Sequence, residues 1–268
     1  MNPPPSDAAE ALPALPAATV MLARDDPGGV EVFVMRRTAR AAFAPDVYVF
    51  PGGKVDPGDA APELAPFCAG LSDEQASARL GLDGGGLAYW VASIRECFEE
   101  AGVLLARHRD GGPPVFDEGD RRAVHSRALS MAELCRRHEL VLDLSAIHYI
   151  AHWVTPVGES RRRFDTRFFL AAAPADQEGI HDDVETVHSQ WVRPGRALSD
   201  GAAGRLALMQ PTRACLGFLD EHDTVAAALA AADAADAPPR IQPRLRRADD
   251  GRIAGVSLPG DPDYDDLP

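Results

Sequence analysis

Arg95-Glu96-Cys97-Phe98-Glu99-Glu100-Ala101-Gly102-Val103 and, 35 residues upstream, Phe50-Pro51-Gly52-Gly53-Lys54-Val55-Asp56-Pro57-Gly58-Asp59 decide how this chain is read. The first segment lies in a helical pattern spanning 87–105. Val91, Ile94, Phe98, Ala101 and Leu105 recur at alternating steps of three and four, which gives one apolar stripe. At 100° per residue, Glu96, Glu99 and Glu100 share an arc of about 100° away from that stripe. Gly102 supplies a stop signal. Three carboxylates on one rim repel each other, and Arg95, one helical turn before Glu99, neutralises only part of that charge. Hard divalent cations prefer oxygen ligands, and Mg²⁺ takes a few carboxylates together with water and substrate phosphate. The acidic rim therefore reads as a metal site. By itself such a run is more often a solvated helix face, and a Gly-Gly pair is more often a turn.

The order of the two segments changes that balance. Together they resemble the Nudix box, G-x5-E-x7-R-E-U-x-E-E-x-G-U, with U a bulky apolar residue. Gly53 stands at the first glycine, and Asp59, six residues on, stands where the family usually has Glu. Arg95-Glu96, Glu99-Glu100 and Gly102-Val103 meet every fixed position of the second half. Where the family has seven residues between the halves, this chain has 35, so 28 are inserted. The insertion unsettles the role of Asp59 more than those of the glutamates.

The resemblance implies an α/β (α+β) fold, a twisted mixed sheet between helices, and hydrolysis of a nucleoside diphosphate linked to another moiety. It implies Mg²⁺ or Mn²⁺ held by Glu96, Glu99 and Glu100, with Arg95 orienting Glu99. Gly52 and Gly53 would shape the floor of the site, with Lys54 beside them. Many Nudix enzymes carry a further acid six residues before a Trp that opens a strand. Glu185 precedes Trp191 by six and is the candidate fourth ligand or general base.

A narrower resemblance runs over roughly 18–219, to Nudix proteins related to peroxisomal or mitochondrial acyl-CoA diphosphatases. It rests on the long insertion, the Phe50–Pro57 loop and Trp153-Val154-Thr155-Pro156 followed by Arg161-Arg162-Arg163-Phe164-Asp165-Thr166-Arg167-Phe168-Phe169. It makes CoA or acyl-CoA the leading substrate, with Arg162, Arg163 or Arg167 as phosphate contacts, since the guanidinium fork binds phosphate through two donors. Other substrates (NADH, ADP-ribose, a sugar nucleotide) and a silent nucleotide-binding regulatory module stay open. The intact glutamates favour catalysis.

Composition bounds the rest. The 268 residues are 46% hydrophobic and 25% charged, as in globular proteins, and carry a net charge of −14. That charge disfavours nucleic-acid partners. No apolar run reaches the roughly 20 residues of a membrane span. Cys68, Cys97, Cys135 and Cys215 show no zinc spacing, and eight histidines show no paired metal spacing. Neither a secretory start nor a terminal Ser-Lys-Leu is present, so a reduced, cytoplasmic protein with a small-molecule substrate is expected, as a monomer or homodimer. Three parts are expected: a disordered tail at 1–16, one catalytic domain at 17–235 with a surface insertion at about 60–87, and an extended tail at 236–268. Within the domain the patterns give a hairpin over 18–35, strands near 47–50, 147–155, 164–171 and 187–192, and helices over 130–138 and 211–232.

Overall fold

The computed structural model describes residues 12–39, 46–160, 162–182 and 184–268. Turn chemistry at Asp25-Asp26-Pro27-Gly28-Gly29 folds β1 (Leu15–Asp26) onto β2 (Gly29–Arg37). Two short strands follow: β3 (Tyr48–Val49) pairs with β2, and β4 (Gly52–Lys54) with β1. Then come β5 (Cys68–Ala69), α1 (Asp73–Leu80), α2 (Leu87–Ala101) and β6 (Arg107–His108). Next are α3 (Glu118–His125), α4 (Met131–Arg137), β7 (Leu140–Asp143), β8 (Ile147–Val154) and β9 (Phe164–Ala172). The chain continues through β10 (Thr186–Val192), α5 (Pro194–Ala202), α6 (Gln210–Asp220) and α7 (Val225–Ala234). It ends with β11 (Arg240–Ile241), β12 (Arg244–Arg247) and β13 (Ile253–Ser257).

The main sheet runs β10-β2-β1-β9-β8-β11. β1 lies parallel to β9 and β8 parallel to β11, and the other pairs are antiparallel, so the sheet is mixed as expected. Alternation along β1 sends Val20 and Leu22 to one face, and Met21 and Ala23 to the other. The first face is covered by α1–α4, where the Trp90 ring of α2 lies tilted 4.7 Å from that of Phe169 and donates Nε1–H to the Ile147 carbonyl at 2.9 Å. The second face is covered by α5, α6 and α7 through Ala197, Leu216 and Ala228.

Several expectations meet the structure directly. The hairpin and the strands near 147–155, 164–171 and 187–192 are present. The helix at 131–137 starts on the expected capping box, where Ser130 Oγ accepts from the Glu133 N–H at 3.2 Å and Glu133 accepts from the Ser130 N–H at 3.0 Å.

Others are corrected. The tail read at 1–16 lies outside the described residues over 1–11, and Leu15 and Pro16 already belong to β1. The helix over 211–232 is two helices, because Thr224 caps a new one by accepting the Ala227 N–H. The region after 236 is not a plain tail, since β11 extends the main sheet and β12–β13 form a hairpin. Nor does the 60–87 segment lie merely over the surface. Leu64, Phe67, Leu71, Ala76 and Leu80 are buried in the same core as α2, and Asp73 caps α2 by accepting the Gly85 and Leu87 N–H groups at 3.0 and 2.9 Å.

Leu64→Ala tests that integration. Its removal from a core position is expected to cost about 2–5 kcal/mol in chemical denaturation. A loss within a few tenths of wild type would return the segment to the surface.

Candidate active site

The site is assembled by one guanidinium. Buried Arg95 donates all five of its N–H groups. Nε reaches Asp59 Oδ1 at 2.8 Å, and Nη2 reaches Asp59 Oδ2 at 2.9 Å and the Lys54 carbonyl at 2.8 Å. Nη1 reaches Glu96 Oε1 at 2.8 Å and Glu99 Oε1 at 3.1 Å. The two halves of the motif are thus held side by side despite the 28 added residues. Asp59 is itself fixed by accepting the Asp56 N–H at 2.8 Å, which closes a one-turn helix at Pro57–Ala60. Its oxygens serve Arg95 and that turn, so it acts as a clamp on the arginine.

Local geometry explains the glycines. A Cβ at Gly53 would stand 2.5 Å from Glu96 Oε1, so a larger residue there would displace the Glu96 carboxylate from its place beside Arg95. The Gly52 N–H donates to Glu100 Oε2 at 2.9 Å. Gly102 ends α2 in the left-handed region at φ 67°, donating its N–H to the Phe98 carbonyl.

These elements open onto a cleft of about 650 Å³. Gly52, Gly53, Lys54, Glu96, Glu99, Glu100 and Glu185 all line it, so the structure brings together most of the residues singled out from sequence. Arg163 and Arg167 are not among them. Arg163 donates to the Thr155 and Leu12 carbonyls, tying strand ends together. Arg167 lies on the opposite face of β9, 5.3 Å over the Tyr89 ring and bonded to His152 and Asp165. Phe164, Thr166 and Phe168 take the cleft-facing positions of β9, and Arg162 lines the cleft just ahead of it.

Three basic residues not anticipated from sequence also line the cleft: Arg37, His125 and Arg127. Arg37 ends β2, where its Nε is buried without a hydrogen-bond partner among the described residues. His125 closes α3, with Nδ1 3.8 Å from Glu99 Oε2, too long for a hydrogen bond. Arg127 sits in the left-handed region at φ 62° and pairs with Asp56. No helix is expected over 118–125 from the sequence, which is why the last two escaped notice.

The acidic wall is not a solvated face. Glu99 and Glu100 are 7% and 4% exposed. Burial pushes the Glu96 carboxyl up to about 7, with Arg95 opposing and Glu99 reinforcing the shift. Burial raises Glu100 well above the usual carboxylate range, and Glu96 adds to it. Glu99 is also raised by burial, against the pull of Arg95. Burial alone would lower the Arg95 pKa, but the hydrogen bonds to Asp59 and the surrounding carboxylates carry it well above its ordinary value. Among the described residues, no three acid, imidazole or thiol groups already converge as a ready-made ligand set. The donors share one wall, and their oxygen chemistry and unrelieved repulsion suit a hard divalent cation.

Those shifts carry a pH signature in the protein without divalent cations. Because the folded Glu96 pKa is raised, the native state keeps a proton that the unfolded chain releases between about pH 4.5 and 7. That stabilisation is full below the unfolded value and is lost as pH rises through the folded one. In EDTA, wild type is expected to lose stability relative to Glu96→Gln on going from about pH 4.5 to about pH 8. Parallel denaturation curves would show that Glu96 titrates normally.

The NUDT19 Nudix domain model matches residues 73–212, slightly more than half of the chain. The acyl-coenzyme A diphosphatase NUDT19 of Gallus gallus is 30% identical over 73% of this chain and 65% of its own length. That of Homo sapiens is 27% identical over 68% of this chain and 58% of its own. The chain therefore spans less than two thirds of these curated relatives. A Nudix hydrolase crystal structure from Alicyclobacillus acidocaldarius aligns with a TM-score of 0.67 and 26% identity, covering 85% of this chain and 99% of the other. With the motif, the mixed sheet and the family match in agreement, the chain belongs to the NUDT19 Nudix domain family.

Proposed function

We propose that the protein hydrolyses the diphosphate bridge of CoA or an acyl-CoA, with Mg²⁺ or Mn²⁺ held by Glu96, Glu99, Glu100 and Glu185. The observation that carries this reading is the Arg95 web, which aligns Glu96 and Glu99, with the Gly52 N–H holding Glu100, along a cleft shared with Glu185 and the Gly52–Lys54 loop. The activity borne by the names of its relatives supplies the substrate. When bound, the metal neutralises charge on the phosphate oxygens and acidifies a water.

The chain's own residues do the remaining work. Arg95 fixes the rotamers of Glu96 and Glu99, so the carboxylates are oriented before substrate arrives. The Gly52 N–H holds Glu100 in place. A glutamate of this set takes a proton from the attacking water as its oxygen bonds to phosphorus and the bridging P–O bond breaks. CoA would yield adenosine bisphosphate and phosphopantetheine. Arg37, whose Nε has no hydrogen-bond partner among the described residues, is placed to meet a substrate phosphate. The four cysteines stand as free thiols, which suits the reducing cytoplasm we assign to it. Among the described residues no helix is long and apolar enough to cross a membrane.

Purified protein with Mg²⁺ or Mn²⁺ is expected to cleave CoA or acyl-CoA in a product screen by mass that includes NADH, ADP-ribose and a sugar nucleotide. Cleavage of ADP-ribose alone would replace the substrate, and no cleavage of any would favour a silent module. Glu99→Gln and Glu100→Gln should each lower turnover by about 10²–10⁴ while the fold persists by circular dichroism, because Gln keeps an oxygen acceptor. Arg37→Ala should raise KM roughly tenfold with kcat little changed, and Arg37→Lys should recover part of it.

A further inference from the structure

A helix leaves its last four carbonyls without donors from its own turns. At the end of α2 each of them is met. Gly102 donates to the first, at Phe98. Buried Arg121 of α3 meets the next two, with Nε donating to the Glu99 carbonyl and Nη2 to the Glu100 carbonyl, both at 3.0 Å. The Ile180 N–H donates to the last, at Ala101, at 2.9 Å. Two of these carbonyls belong to the residues whose carboxylates line the cleft. Gly102 also makes the room, since a Cβ there would stand 3.1 Å from Arg121 Nη1.

Arg121 reaches beyond the helix as well. Its Nη2 donates to the Ile180 carbonyl at 3.1 Å, so one side chain holds both α2 and the segment that follows β9. Gln177 adds a second tie, donating Nε2–H to the Leu104 carbonyl at 3.1 Å and accepting the Leu104 N–H at 2.8 Å. Among the described residues of 172–185 no side chain is buried, so hydrophobic packing does not fix this segment. Its order comes from these polar ties. From Ile180 the path to Glu185 is short, and Asp182 stiffens it by accepting the Val184, Glu185 and Thr186 N–H groups at 3.1, 3.1 and 3.0 Å. After Glu185 the chain enters β10, with Thr186 opposite Arg37 of β2. Glu185 thus stands between two attachments. Beyond burial and Glu96, Glu185 also raises the Glu100 carboxyl, as a charge facing the helix would.

We propose that Arg121 and Gln177 are positioning residues that clasp the Glu185 loop to the end of α2 and so set the spacing of Glu185 from Glu99 and Glu100. This rests on Glu185 acting together with the helix glutamates. Neither Arg121 nor Gln177 lines the cleft, so both act through Glu185. The helix is the fixed partner, with Trp90, Ile94 and Phe98 fully buried, and the loop is the part that the clasp restrains.

Arg121→Lys keeps the charge at the helix end, but an ammonium lacks the planar fork that spans carbonyls on both elements. In EDTA, amide exchange over 178–187 should quicken about tenfold in Arg121→Lys while that of β9 is unchanged. Mn²⁺ affinity, titrated by the EPR signal of the free ion, should fall about tenfold in Arg121→Lys and in Glu185→Gln, and the double variant should be within about twofold of the weaker single. On the substrate that wild type cleaves, Arg121→Lys should lower kcat about 10–100-fold with KM within about threefold. Arg122→Lys, on the exposed side of α3, should match wild type throughout. Gln177→Ala loosens the same loop without touching α3; it should move exchange and Mn²⁺ affinity in the same direction, and it decides the matter should Arg121→Lys fail to fold. Unchanged loop exchange, or losses that add in the double variant, overturns the clasp while leaving Glu185 its role. Wild-type Mn²⁺ affinity in Glu185→Gln overturns that role itself, and the clasp's purpose with it.

Discussion

The site depends on a single buried cation that is outnumbered. Arg95 is 5% exposed and shares its five donors among Asp59, Glu96, Glu99 and the Lys54 carbonyl. A buried guanidinium with every donor matched is tolerable; one with a partner removed is not, and breaking such a set costs about 3–5 kcal/mol. Lysine would not substitute, because three tetrahedral donors cannot span acceptors on a helix, a strand end and a turn at once. The same residue therefore fastens the loop to the helix and sets the side chains that face the substrate. Structure and chemistry share one set of hydrogen bonds.

That sharing leaves a deficit of positive charge. Among the described residues the Glu100 carboxylate receives only the Gly52 N–H, and burial holds the glutamates toward their protonated forms. A stability-optimised helix would not bury three acids on adjacent turns. The strain is located where phosphate and cation would relieve it, the usual place for a protein to keep an unfavourable arrangement. The core offsets it, with Trp90, Ile94 and Phe98 fully buried on the same helix. It also explains how an insertion between the motif halves is survived. Loop-closure cost grows only with the logarithm of length, and this segment adds buried side chains and a cap on α2.

What could be read from the sequence follows the same division. Helix α2, its stripe and its glutamates were legible because their signals are local, set by steps of three and four along one element. Even Glu185 could be found from its spacing to Trp191, and it does line the cleft. The arginines after Val157 were another matter. Whether odd or even positions of β9 face the cleft is decided by its pairing with β1, more than a hundred residues away, and the pairing turned Arg167 onto Tyr89. Arg37 was illegible for a related reason: an arginine ending a strand looks the same whether it meets solvent or a buried pocket. The region after 236 misled through composition. Its Pro, Arg and Asp content suggests a tail, yet those residues serve there as turns and ion pairs, which acquire meaning only once β11 has found β8.

The cleft thus joins two kinds of order. Its acidic end is fixed by buried, short-range bonds within the motif, where small displacements would disturb proton transfer and phosphate contact. Its other end is bordered by the segment after β11 and a late hairpin whose main ion pair, Arg246 with Asp263, is itself nearly half exposed on both sides. Exposed pairs contribute little to stability, so the hairpin's place beside the cleft rests on the pairing that carries β11 onto β8 and on the Arg247 bond to the Gly158 carbonyl.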